Sequence, residues 1–236
     1  MNRFVQALRL ELTLQVRQKF LHAAVFSGFI WLAVLLPMSQ ALRPIAEPYI
    51  LVGDISIIGF FFIAGTVFFE KQENTLGAVI CTPLRFREYL AAKLAVLLAI
   101  SVVVGVGVST IAHGFHYRAV PLIVGVVLGA LIMLLSGFVS SLPFASISDW
   151  FLSATIPLAI LSLPILGFSG IWATPLLYVI PTYGSLLLFG AAFGQVTLTG
   201  WLALYAVAYP VICIAGLYFA CKAAFGKYIV AKSGGM

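Results

Sequence analysis

Polar and apolar positions along this chain fall in long blocks, not at short period. Six apolar runs reach membrane-crossing length, at about residues 20–42, 50–69, 90–113, 120–144, 151–172 and 198–219. Runs near 20 residues match the hydrocarbon thickness of a bilayer at a helical rise of about 1.5 Å per residue. Lipid offers no partner to an unpaired backbone group, so each run predicts a helix. Barrel strands would be about half as long and would alternate. The expectation is an all-α integral membrane fold with six transmembrane helices. Arg43-Pro44 reads as the end of the first span. Gly105, Gly107 and Ser109 thin the third span, and Gly125 and Gly129 form a GxxxG in the fourth that permits close helix packing. Pro157 and Pro164 are expected to bend the fifth.

Residues 173–192 are uncharged and long enough to cross, but Pro175, Pro181 and Gly184 interrupt them. Charge placement decides how they are read. With six spans and both termini cytoplasmic, eleven of the thirteen Lys and Arg residues are inside, and only Arg43 and Arg118 are outside. A seventh crossing would carry Lys222, Lys227 and Lys232 outside, against the positive-inside bias. The segment is therefore expected to form re-entrant half-helices that dip in from the outer face between spans five and six. The formal charge of +6 resides at helix ends, which suits a membrane surface and not a nucleic acid.

Ahead of the first span, residues 1–19 place Phe4, Val5, Leu8, Leu12 and Val16 on one side of a helix, while Leu10 and Leu14 depart from the stripe. They are expected to form a retained, amphipathic interfacial helix, too long and too mixed in charge for a signal peptide. A frayed polar leader is the plainer alternative.

The most polar stretch lies between spans two and three. Glu70 to Lys93 holds seven of the chain's twenty charged residues. Within it Leu76, Val79, Ile80 and Leu84 recur at helical spacing, Thr75 is placed to cap them and Pro83 to end them. A short amphipathic helix at the membrane surface is expected there.

The order of an acidic-basic pair, Asn74-Thr75-Leu76, Thr82-Pro83-Leu84, Arg87-Glu88 and Lys93 resembles the first cytoplasmic loop of ABC-2-type permeases. Many members of that family have Gly-Thr where this chain has Asn74-Thr75. Pro181-Thr182-Tyr183 is similar to a Pro-containing segment of the same family, where short outer-face helices lie between the last two spans. An amphipathic N-terminal helix is also common there. The resemblance implies that the loop is a cytoplasmic coupling helix docking into an ATP-binding subunit through Glu73, Thr75, Leu76, Val79, Ile80, Thr82 and Pro83. It implies a second permease copy or paralogue, and ATP and Mg on the partner ATPase with no cofactor on this chain. The compact size and the phenylalanine-rich second span resemble bacterial drug-export permeases, including the fluoroquinolone-export type.

Composition limits the alternatives. At 63% hydrophobic and 8% charged, the chain lies far from the roughly 25% charged residues of soluble domains. There is no GxxxxGK[ST] to cradle a nucleotide and no HExxH. Cys81, Cys213 and Cys221 match no metal spacing, and His113 and His116, three apart, read as structural or interfacial. Gly167-Phe168-Ser169-Gly170 is similar to the nucleophile motif of rhomboid-type intramembrane proteases, which need a histidine on a later span; none follows His116. The tetrapeptide reads more simply as a helix end.

Asp54 has two readings, an N-cap at the outer interface or an ionisable group at membrane depth, where such groups are functional by default. Arg43 and Glu47 are placed to pair in water. Phe60, Phe61 and Phe62, with Asp54, are candidates for the substrate path, although three consecutive residues spread through about 200° of a helix. The sequence thus points to the permease subunit of an ATP-driven exporter in the plasma membrane. Its substrate class would be a drug, lipid or glycolipid-like compound. A non-transporting scaffold or assembly factor is the rival.

Overall fold

The computed structural model describes residues 3–76, 85–172 and 174–230. Among them every regular element is helical: α1 Arg3–Arg17, α2 Phe20–Leu35, α3 Arg43–Ile55, α4 Ile63–Gln72, α5 Phe86–His113, α6 Ala119–Ser141, α7 Ile147–Ser162, α8 Pro164–Phe168, α9 Thr182–Ala192 and α10 Gly200–Phe225. A π-helical stretch, Ser56–Phe62, joins α3 to α4 into one rod from Arg43 to Gln72.

Five helical segments are long and apolar enough to cross a membrane: Arg43–Gln72, Phe86–His113, Ala119–Ser141, Ile147–Phe168 and Gly200–Val230. The sixth is reached by joining α1 and α2, which are bent by 62° at their break. Lys19 holds that break in the left-handed region, φ 64°. The chain is a multi-pass membrane protein.

The core sits around α6. Leu122, Val126, Ala130, Met133, Leu134 and Phe138 of α6 share one buried cluster with Ile55, Ile58, Phe60 and Ile63. Gly137 lets the π-helical stretch approach, since a Cβ there would meet the Phe60 carbonyl oxygen at 2.4 Å. The long helices α7 and α10 bury little and present Phe151, Leu152, Ile156, Val211, Ile212 and Phe219 outward, as apolar faces do in lipid.

Span ends depart from expectation where local capping outweighs hydropathy. Helix α2 stops at Leu35, and Arg43-Pro44 opens the next helix instead of closing the first. A proline in the first helical turn loses no intrahelical bond. The Arg43 guanidinium donates back to the carbonyls of Leu36 at 2.7 Å and Met38 at 3.1 Å, just past the end of α2.

The GxxxG of α6 packs as a close-approach face. A Cβ on Gly125 would lie 2.7 Å from the Phe189 ring, and one on Gly129 3.2 Å from Ser185 Oγ. Its partner is therefore α9, a helix of 11 residues, buried over most of its length and too short to cross. A 3₁₀ turn, Pro175–Val179, precedes it. Tyr205 donates to the Tyr178 carbonyl at 2.5 Å and Tyr209 to that of Val179, pinning this turn to α10.

Candidate functional site

The segment expected to couple this chain to a partner has two described flanks, and both are fixed by charge. On the first, Lys71 Nζ donates to the carbonyls of Ser141 at 2.9 Å, Leu142 at 2.9 Å and Phe144 at 2.6 Å, so that it caps the end of α6. A cation at a helix C-terminus satisfies orphan carbonyls and complements the dipole. On the second, Glu88 Oε2 accepts from the Arg85 backbone N–H at 2.9 Å, fixing the start of α5. Asn74 sits at φ 54°. Gly and Asn are the residues that tolerate this region, so asparagine suits the turn.

Of the seven predicted docking residues, Glu73, Thr75 and Leu76 are described. Glu73 and Thr75 are exposed, Leu76 is buried, and the Thr75 hydroxyl donates to the Glu70 carbonyl at 3.2 Å. Val79, Ile80, Thr82 and Pro83 lie outside the described residues.

Directly beneath these flanks is a buried ionic cluster. Lys93, on the second turn of α5, is long enough to extend to the headgroups. Instead its side chain is 1% exposed, with Nζ 2.8 Å from Glu70 Oε1 and 3.1 Å from Glu11 Oε2. Tyr89, one turn earlier, donates to Glu70 Oε2 at 2.5 Å, and Gln15 donates to Glu11 Oε1 at 2.8 Å. The Lys93 ammonium also lies 5.3 Å from the Tyr89 ring centroid. The inward alternative wins because each charge finds a partner; an ammonium buried alone would cost several kcal/mol, and two carboxylates around it remove that penalty.

The same contact rotates α1 away from its expected setting. Glu11 and Gln15 are its buried positions, while Val5, Leu12 and Val16 are exposed. Apolar side chains of α1 instead border a groove of about 360 Å³ against α2 and α5, with Leu8, Leu12, Val25, Ala99 and Val103 along it. Glu11 carried a readable signal, since it is a carboxylate breaking an apolar stripe.

Asp54 is not an N-cap. It occupies the penultimate position of α3, inside the continuous rod and roughly 17 Å from its Arg43 end at helical rise. Ser27 Oγ and Trp31 Nε1 of α2 both donate to its Oδ1, at 3.0 and 3.1 Å. Its Oδ2 is buried and without a hydrogen-bond partner among the described residues.

The three phenylalanines separate as helical geometry requires. Phe60 is fully buried and stacks on Trp150, 5.7 Å between centroids at 24°. Phe62 is buried against Phe20 at 5.2 Å. Phe61 is half-buried and leans towards the exposed Phe151 at 6.1 Å.

The other motifs hold no chemistry of their own. Ser169 caps the end of α8, its hydroxyl donating to the Leu166 carbonyl at 3.0 Å. Among the described residues no group of three or more His, Cys, Asp or Glu side chains is placed to hold a metal ion.

One ammonium thus ties α1, the end of α4 and the start of α5 together, at the base of the polar segment. A family model for the fluoroquinolones export permease protein family matches residues 2–233. The chain belongs to that family. The permease is similar, at 68% identity over 235 residues and 99% of each chain, to the fluoroquinolones export permease protein of Mycobacterium tuberculosis strain CDC 1551 / Oshkosh. The same identity and coverage hold for the fluoroquinolones export permease protein of strain ATCC 25618 / H37Rv. No solved structure matches this permease.

Proposed function

We propose that this permease is the membrane subunit of an ATP-driven ABC-2-type exporter of hydrophobic or amphipathic drugs, fluoroquinolone-like compounds among them. The substrate class comes from the names of the two mycobacterial relatives. Six crossings are counted when α2 is taken as the first of them, with α1 as an interfacial helix. The polar 70–93 segment and both termini then face the cytoplasm, in keeping with the basic residues at that end. A second copy or paralogue completes the path, and a separate ATP-binding subunit supplies ATP and Mg. Residues 73–83 dock on that subunit as the coupling helix.

One observation carries this reading. The Lys93 cluster joins both flanks of the proposed coupling segment to α1, so a displacement of that segment reaches three helices at once. A scaffold that only anchors partners has no use for such a joint, and this favours transport. The test is Val79→Glu, which would bury an unpaired carboxylate in an apolar docking groove at a cost of several kcal/mol. Normal membrane levels with loss of co-purification of the ATP-binding subunit, and of substrate-stimulated ATP hydrolysis, are expected. Wild-type binding and transport by the variant would remove the coupling role.

A further inference from the structure

At the end of the bundle opposite Lys93 lies another buried carboxylate, one that the transport reading leaves unused. Glu47, one turn into α3, is 1% exposed, and neither of its carboxylate oxygens has a hydrogen-bond partner among the described residues. His113 Nδ1, at the C-terminus of α5, lies 3.9 Å from Glu47 Oε2.

Arg43, one turn earlier on the same helix, does not supply the missing partner. Its Nε, Nη1 and Nη2 donate to the carbonyls of Met38, Ala112 and Leu36 at 3.1, 3.0 and 2.7 Å. Those bonds replace the Arg43–Glu47 pair expected from the sequence.

Beside this pair a polar cavity of about 580 Å³ opens, lined by Gln40, Arg43, Ile111, His113, Gly114 and His116. His113 borders it with a side chain 20% exposed, whereas Glu47 behind it is closed off. We propose that Glu47 and His113 together form a proton-binding site, loaded from this cavity through the imidazole.

The argument is one of charge states. A bare carboxylate beside a neutral imidazole is the costly arrangement in a buried site. A neutral carboxyl beside a neutral imidazole avoids that cost, and so does a carboxylate beside an imidazolium. Both alternatives hold the same single proton, and the pair titrates as a unit. The imidazole separates Glu47 from the cavity, so the ligand that reaches the carboxylate has the size of a proton. His113 can pass it by taking a proton on the cavity side and giving one up at Nδ1.

Among the described residues the fixed charges at this end are Arg43, whose guanidinium stays positive while it donates to carbonyls, and Arg118, at the start of α6. Helix α6 has no titratable residue, α9 has only Tyr183, and α2 has only His22 at its far end. The π-helical stretch has none. On α3 itself Arg43 is committed to carbonyls, and Asp54 lies two turns deeper, facing Ser27 and Trp31. His116 borders the same cavity. Together with the Arg43 to Ala112 bond, the pair clips α3 to α5. Loss of its proton weakens that clip, so proton occupancy biases whether this end is closed. The site stands on geometry alone; only the statement that the proton comes from outside the cell rests on the orientation proposed above.

The test uses the purified full-length permease in lipid nanodiscs, with no ATPase and no drug. Proton release is titrated from about pH 5 to pH 9, spanning the range in which histidine-linked pairs exchange protons, while the carboxyl C=O stretch is followed by infrared spectroscopy. In Glu47→Gln only the imidazole remains to hold the proton, so the midpoint of its release is expected to shift and the carboxyl C=O band of Glu47 to disappear. Asp54→Asn removes the buried carboxyl on the same helix and is expected to leave the Glu47 signal in place. In His113→Asn only the carboxyl remains to hold the proton, so the midpoint of its release shifts. The same midpoint of proton release in wild type and Glu47→Gln, with no loss of a carboxyl band, overturns the site. Should Glu47→Gln fail to fold, an unchanged midpoint in His113→Asn overturns it. Either failure leaves the proposed ATPase coupling untouched, because neither nucleotide nor substrate enters the assay.

Discussion

The ammonium of Lys93 and the carboxylate of Glu70 meet at 2.8 Å, their side chains 1% and 8% exposed, although twenty-two residues of chain separate them. Glu11 closes the triad from the N-terminal helix. Removing the cation therefore leaves two carboxylates facing each other without water. Lys93→Met is expected to destabilise by about 3–5 kcal/mol, the usual consequence of breaking a buried pair. Adding Glu11→Gln and Glu70→Gln to Lys93→Met should recover much of the loss, because no uncompensated charge remains. Thermal unfolding in nanodiscs reads both changes; a triple variant no more stable than the single one would argue against an electrostatic role.

The phenylalanines should divide by burial. Phe60→Ala empties a packed site against Trp150 and is expected to cost about 3–5 kcal/mol, with reduced membrane levels. Phe61→Ala removes a half-buried ring and should be better tolerated. If that ring borders the substrate path, drug preference in a transport assay changes while assembly persists. Identical transport of every tested drug by Phe61→Ala would place the ring in lipid.

Asp54 offers an isosteric contrast. Asp54→Asn keeps a side-chain oxygen for the donors of Ser27 and Trp31, so assembly should survive. Asp54→Leu leaves both donors buried and unpaired and is expected to cost about 1–3 kcal/mol for each. Comparing unfolding midpoints of the two variants checks this, and the ordering is the decisive feature.

Labelling of engineered cysteines tests the orientation. Sites between Lys71 and Glu88, and those in the basic C-terminal region, are expected to be protected from impermeant reagents in intact cells, and a site at Arg118 to react. Outside labelling at 227–236 would reject six crossings with both termini inside.

Hydropathy was a good guide to the rough position of the five long helices, because lipid imposes one rule on every residue of a span. Interruptions were also readable: the helix break at Leu163-Pro164 and the short buried helix after Pro181 follow from prolines whose effects are local. What escaped detection depends on who faces whom. Lys93 among apolar neighbours reads as an anchor until Glu11, eighty-two positions away, is brought to it. Asp54 beside Gly53 reads as a cap until the helix is seen to begin eleven residues earlier. Tertiary pairing decides both, and no local pattern carries it.

The π-helical stretch Ser56–Phe62 reaches further than its seven residues. At about 100° per residue an unbroken α-helix would set Glu70 roughly 160° round the axis from Asp54. Absorbing one extra residue in a wide turn brings the two to within about 60°. That rotation lets a single helix show one acid to α2 at mid-length and another to α5 at its end. The stretch acts as a phase shifter between two halves of a span. Deleting one residue there would restore a regular helix and keep that phase, so the contact of Glu70 with Lys93 should persist; forcing the stretch into a regular helix at full length would instead swing Glu70 by about 100° and pull it away from Lys93.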